Sequence, residues 1–295
     1  MRVLTFSYLL ICERTKMFQL NGSRHTRTVL FPLLLIVLAA SSWSTVAASE
    51  AKLVTVEEAR LNGVVDTASS PPVRIVGGSA ASANQFPYQV ALLRQGSFSC
   101  GGSLITNKWV LTAAHCVISG NQVVQPSLMA VLAGTVYLNS GGVRRSVHRI
   151  ISHERYGNFR NDIAVMELQQ AYQMGSSIST IALRRTAVPS GSTVTISGWG
   201  RLYTNGPLPS VLQYNRATTL SGLGCARETG INAGLLCLKS SVNNGACNGD
   251  SGGPAVYNNQ LVGVANFVVN GCGSSRSDGY ALVSDFVQWI ESRIN

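Results

Sequence analysis

Gly249-Asp250-Ser251-Gly252-Gly253-Pro254 gives one serine three things: pliable backbone on both sides, an acid next door, and a proline that ends the turn. Glycines let such a loop aim its N–H groups at a reacting oxygen. Glycine-rich loops are common, so the weight of this one comes from the rest of the chain. Upstream lie Leu111-Thr112-Ala113-Ala114-His115-Cys116, then Asn161-Asp162-Ile163-Ala164, and before both Arg74-Ile75-Val76-Gly77-Gly78. A nucleophile, a base, an orienting acid and a basic cleavage point are rarely found together by chance.

The same loop runs into a short apolar segment, 254–257, which is one of many. A first group covers 88–93, 109–113, 129–133, 143–151 and 163–168. A second covers 194–199, 211–220, 235–238, 254–257, 261–267 and 279–283. Turn residues divide them, and 169–192 reads as a connector rich in Ser, Ala and Thr. Charged residues make up only 12 % and there are 29 glycines, which suits an all-β, turn-rich fold of barrels or sandwiches. One helix is expected near the C-terminus, where Phe286 shares a face with Trp289 and Ile290.

The chain of 295 residues has room for one or two domains. Its net charge is +10, and from Ile75 onward 15 Lys and Arg stand against 8 Asp and Glu. The densest basic cluster is Arg144, Arg145, His148, Arg149, Arg155 and Arg160. A patch for sulfated polysaccharide is one reading, and a solvated strand is the favoured one. No aromatic interleaving or nucleic-acid motif accompanies it, so no nucleic-acid partner is expected.

Seven cysteines are present: Cys12, Cys100, Cys116, Cys225, Cys237, Cys247 and Cys272. Cys12 falls in the leader, and the remaining even set suits disulfides in an oxidising compartment. An apolar run at 29–40 follows Arg24, His25 and Arg27, and Val46-Ala47-Ala48 precedes Ser49. Residues 1–48 therefore read as a secretory signal peptide, with Met17 as an alternative start. The run is short for the ~20 residues of a membrane span. Residues 49–74 read as a propeptide that ends in Ser69-Ser70-Pro71-Pro72 before Arg74 and carries no cysteine.

A serine hydroxyl needs a base to take its proton, and the base needs a partner that fixes its tautomer. Singly, His115 also fits a structural histidine beside a disulfide, Asp162 a strand cap, and Ser251 a turn serine. Jointly these alternatives are poor. The chain from Ile75 to Asn295 resembles the trypsin-like serine proteases of the chymotrypsin fold, above all their invertebrate digestive and salivary members. The motifs are IVGG at Ile75, TAAHC around His115, NDIAV around Asp162, GWG at Gly198 to Gly200 and GDSGGP around Ser251.

The resemblance implies two six-stranded antiparallel β-barrels with a C-terminal helix, the barrels at roughly 75–185 and 186–295. It implies His115, Asp162 and Ser251 as catalytic residues, and the N–H groups of Gly249 and Ser251 as the oxyanion hole. Cleavage after Arg74 would free the Ile75 amine to pair with Asp250. The implied disulfides are Cys100–Cys116, Cys225–Cys237 and Cys247–Cys272. The expected protein is a secreted, monomeric serine endopeptidase made as a zymogen, acting on proteins or peptides, activated by another protease and open to protein inhibitors. No cofactor or membrane partner is expected. The rival is a catalytically inactive homologue acting as a binding protein, but all three triad positions are filled.

The specificity pocket departs from trypsins. Its floor, six residues before the nucleophile, is Gly245 where trypsins have Asp. The wall reads Asn266-Phe267-Val268 in place of the family's Ser-Trp-Gly, and Val268 should narrow the pocket. Asp278 aligns deep in the pocket, or else is an exposed loop acid. Cleavage after apolar residues is the favoured expectation; mixed specificity that admits Arg or Lys is the second. Calcium binding needs several oxygen ligands, usually acids. No Asp or Glu occurs from Val117 to His153, so no calcium loop or other metal site is expected.

Overall fold

The computed structural model describes residues 53–55, 76–231 and 233–295. The expected signal peptide, most of the expected propeptide, Arg74 and Ile75 lie outside the described residues. Two short strands come first, β1 (Leu53–Thr55) and β2 (Ser79–Ala80). The first barrel begins with β3 (Gln89–Arg94), β4 (Ser97–Leu104) and β5 (Trp109–Thr112). A small hairpin of β6 (Ile118–Ser119) and β7 (Gln122–Val123) follows. The barrel is completed by β8 (Met129–Ala133), β9 (Val143–Ser152) and β10 (Ala164–Leu168). These six strands close in the order β10-β5-β4-β3-β8-β9.

The connector carries β11 (Ala182–Leu183). The second barrel is β12 (Thr193–Gly198), β13 (Gln213–Thr219), β14 (Leu235–Lys239), β15 (Pro254–Tyr257), β16 (Gln260–Val269) and β17 (Asp278–Leu282). Its order is β16-β15-β12-β13-β14-β17, and β16–β17 pairing closes the ring. The fold is thus two six-stranded antiparallel barrels with a C-terminal helix, as the apolar segments and the resemblance implied.

Each barrel buries its own apolar core. Val90, Leu92, Leu104, Val110, Leu111 and Met166 fill the first, and Val194, Ile196, Leu236, Leu238 and Val262 the second. Each such side chain contributes roughly 1.5–3 kcal/mol when fully buried. Helix α1 (Gly222–Thr229) was not anticipated, because two glycines and a weak apolar face hide it. Its ends were legible: the Ser221 hydroxyl accepts from the Gly224 N–H, and Gly230 closes it at φ 74°. Helix α2 (Val283–Ile294) turns Phe286, Val287 and Ile290 into the core, while the Trp289 indole donates to Glu154 at 2.9 Å.

All eleven apolar segments became strands, and β4 is the barrel strand that the apolar pattern missed. Its centre, Cys100-Gly101-Gly102, is buried by contact rather than by hydrophobicity. A Cβ on Gly102 would lie 2.9 Å from both Leu92 and Val110. A Cβ on Gly101 would lie 3.0 Å from the Cα of Gly253 in the other barrel. The basic cluster is largely an exposed face of β9. Arg149 pairs with Glu167 and lies over the Trp109 ring, and Arg145 lies over Tyr172.

Gly101→Ala should destabilise the protein by about 1–3 kcal/mol, because backbone stands on the far side of the contact. Gly175→Ala, whose Cβ would meet nothing within 4 Å, should stay within about 0.5 kcal/mol of the parent. Urea unfolding of the two variants tests the contrast.

Candidate active site

His115 sits on a single 3-10 turn, Ala114–Cys116, directly after β5. The Cys100–Cys116 disulfide ties that turn to β4. Asp162 stands two residues before β10, which pairs with β5 in the register Ala164↔Thr112. Strand register therefore brings the two side chains together. The His115 N–H donates to Asp162 Oδ1 at 2.9 Å, and His115 Nδ1 lies 2.6 Å from Asp162 Oδ2. The Asp162 side chain is 1 % exposed. Asn161, in the left-handed region at φ 52°, turns the chain into this position, and its amide donates to the Arg155 carbonyl. A buried carboxylate that accepts from both the backbone and the ring fixes the imidazole's orientation and leaves Nε2 as its other working nitrogen.

Ser251 comes from the second barrel, on the loop before β15. The Gly101 N–H of β4 donates to the Ser251 carbonyl at 2.8 Å. Gly252, at φ 75°, packs so closely that a Cβ there would lie 2.1 Å from Thr112 Oγ1. Thr112 is three residues from His115, so this contact carries the serine loop to the histidine turn. Ser251 Oγ is buried and forms no hydrogen bond with the described residues. The N–H groups of Gly249 and Ser251 likewise have no backbone acceptor among the described residues. Gly249 holds φ 101°, a backbone region open to glycine.

Asp250 is fully enclosed. Its carboxyl accepts from the Gly200 N–H at 2.8 Å and the Cys247 N–H at 2.9 Å. Burial raises its pKa to about 6, against the two backbone donors that pull it down. The glycines of the Gly198-Trp199-Gly200 motif make this possible. A Cβ at either would lie within 2.3 Å of an Asp250 oxygen. Trp199 is buried between them and donates to the Val136 carbonyl.

Asp278 is 6 % exposed, which removes the exposed-loop reading. Its Oδ2 accepts from the Ala246 N–H at 2.7 Å, and a Cβ on Gly245 would lie 2.5 Å from the same oxygen. The acid thus fills the space that a side chain at Gly245 would take. Burial lifts its pKa to about 8; Asp250 adds to the rise, while the Ala246 N–H and Lys239 oppose it. Val268 is fully buried in a cluster that includes Ala246, the residue after Gly245, and Tyr280. Asn266 does not join them through its amide, which donates to the Phe159 carbonyl at 2.9 Å.

Phe159 is a residue that sequence reasoning missed. Its ring packs edge-on to Phe267 at 5.3 Å, linking the pocket wall to the loop before Asp162. Its positive φ of 59° is not written in its residue type. The other disulfides join Cys225 to Cys237 and Cys247 to Cys272, the latter beside the serine loop. His115 also lies near Cys100 and Cys116, a set that could hold a metal by position. Both sulfurs are committed to their disulfide, so they offer no thiolate.

The family model described as Trypsin matches residues 75–290. "Serine protease SP24D" of Anopheles gambiae is 61 % identical over 219 residues, 74 % of this chain and 80 % of that relative. "Trypsin delta" of Drosophila erecta is 39 % identical over 226 residues, 74 % of this chain and 87 % of the relative. Among solved structures, mouse neuropsin, described as a serine protease expressed in the limbic system of the brain, superposes with TM-score 0.67 at 27 % identity. It is covered over 99 % of its length by 74 % of this chain. The motif-bearing region, the two barrels and the relatives agree, and the chain belongs to the trypsin family of serine endopeptidases.

Proposed function

We propose that the protein is a secreted zymogen whose mature form cleaves peptide bonds through an acyl-enzyme, with His115, Asp162 and Ser251 as its catalytic residues. The observation that carries this is the two-point grip of Asp162 on His115, at 2.6 and 2.9 Å, beside a buried serine loop. His115 takes the Ser251 proton as Oγ attacks the scissile carbonyl, then returns it to the leaving amine. The N–H groups of Gly249 and Ser251 receive the oxyanion, where one donor contributes about 3–4 kcal/mol of transition-state stabilisation.

Activation follows from Asp250. Burial works against its charge, so a cation that reached it would stabilise both the carboxylate and the loop around it. Cleavage after Arg74 by another protease supplies that cation as the Ile75 ammonium. The apolar run at 29–40 supports secretion, and no described helix is long and apolar enough to cross a membrane. Protein inhibitors that insert an extended loop would compete with substrate for the same cleft.

The side chain before the scissile bond enters beside Gly245, Val268 and Asp278. Near neutral pH a carboxyl of pKa about 8 keeps its proton, so the pocket is uncharged and accepts apolar side chains. As pH rises through that value Asp278 ionises and draws Arg or Lys. The two specificity expectations thus become two protonation states of one group.

Cleavage after Arg74 should raise peptidase activity by orders of magnitude and make Ser251 reactive to an organophosphate. Equal activity before and after cleavage would remove the zymogen assignment. A cleaved protein that neither hydrolyses peptides nor takes the label would be the inactive binding homologue. The ratio of kcat/KM for Arg over Leu substrates should rise about tenfold or more between about pH 6 and about pH 9, and any pH effect common to both substrates cancels in the ratio. Asp278→Asn should flatten that ratio while leaving Leu cleavage in place; a ratio unchanged by the substitution refutes the assignment.

A further inference from the structure

The described strand outside the protease region is β1, and its position carries information. β15 pairs with β16 only as far as Pro254↔Val264. The serine loop continues the same edge: the Gly252 N–H donates to the Ala265 carbonyl at 2.8 Å, and the Ala265 N–H to the Gly253 carbonyl at 2.9 Å. Beyond that point no barrel strand among the described residues borders this side of β16. β1 does, antiparallel, in the register Thr55↔Phe267, Val54↔Val268 and Leu53↔Val269. It runs from the Val269 end toward Ala265 and the Ser251 loop.

An extended peptide that presents its carbonyl to Ser251 needs the same edge and the same polarity for the residues before its scissile bond. An exposed sheet edge takes such a strand by backbone hydrogen bonding, largely without regard to side chains. β1 and substrate therefore claim the same N–H and C=O groups of Phe267–Val269.

We propose that Leu53–Thr55 is a tethered strand that occupies the substrate edge of the zymogen. This rests on the reading above that Asn266–Val268 borders the substrate and that Arg74 is the activation site. The strand precedes Arg74 by eighteen intervening residues, and 49–74 contains no cysteine. Cleavage after Arg74 thus leaves the strand without a covalent tie. A short covalent tether supplies an effective concentration of about millimolar. A three-residue strand offers only a few backbone hydrogen bonds, each modest in water. The contact holds while the tether lasts and is lost on dilution afterwards, so one cut both frees Ile75 and clears the cleft.

The first test is amide hydrogen exchange on the full chain, with Ser251→Ala preventing self-digestion. Phe267–Val269 should be protected, and Val54→Pro should speed their exchange about tenfold by removing a backbone donor and its pairing. Cleavage after Arg74 followed by dilution should do the same. Exchange that is equally fast in the parent, or unchanged by Val54→Pro, overturns the proposal. The second test adds a synthetic 49–74 peptide to the cleaved protein. Apparent KM should rise with kcat unchanged at about millimolar peptide, and the Val54→Pro peptide should act more weakly. Equal inhibition by the Val54→Pro peptide, or steady cleavage of the peptide within 53–60, overturns it. Exchange reads the strand without any catalysis, so protection in Ser251→Ala together with a parent chain that gains no peptidase activity on cleavage would refute the proposed function and leave the strand assignment standing. Active enzyme with unprotected amides would do the reverse.

Discussion

The structure depends on a contact between glycines. Gly101 of β4 and Gly253 beside Ser251 approach so closely that a methyl group on the first would stand 3.0 Å from the backbone of the second. Gly252 meets Thr112 and the Gly101 carbonyl in the same place. The Gly101 N–H holds the Ser251 carbonyl across this junction. One barrel carries the histidine and its acid, the other the serine. Without side chains at the junction the backbones approach closely enough for the two halves to form one site. A buried Ser197–Gln89 hydrogen bond of 2.7 Å supports the same seam.

Three buried carboxyls divide the remaining work, and their partners tell them apart. Asp162 meets the ring and backbone of His115, which suits it to orient a base. Asp250 meets two backbone N–H groups in a space that Gly198 and Gly200 leave open. Asp278 meets a single N–H, with Lys239 as an opposing cation, and its pKa is raised further than that of Asp250. Fewer compensating donors at similar burial leave the neutral acid more favoured. Asp278 therefore has a protonation state that pH can change.

Strand β1 extends this economy of edges. The second barrel closes through β16–β17 pairing on one side of β16, and on the other side β15 stops before the strand does. The remainder, Phe267–Val269, follows the contact of Ala265 with the Ser251 loop and is paired by β1. An edge that the barrel strands leave unpaired is one that the chain's own β1 fills.

The motifs around His115, Asp162 and Ser251 were legible because the chemistry demands those residue types, and the apolar periodicity of eleven strands was legible because burial demands it. β4 was not, since glycine is buried there by steric need and leaves no apolar pattern. α1 was missed for a related reason: its caps were readable, but its face was too weakly apolar to mark a helix. Asp278 stood undecided between pocket and exposed loop, and its 2.7 Å bond to the Ala246 N–H and its closeness to Gly245 show it buried. The sequence by itself determined the fold class and the candidate catalytic set, because local patterns and reactive residue types are properties of the chain alone. The tertiary structure decided which acid is buried against which donors, how close two backbones come, and which strand edge stays open. Those depend on distances between residues far apart in the chain, and no local pattern encodes them.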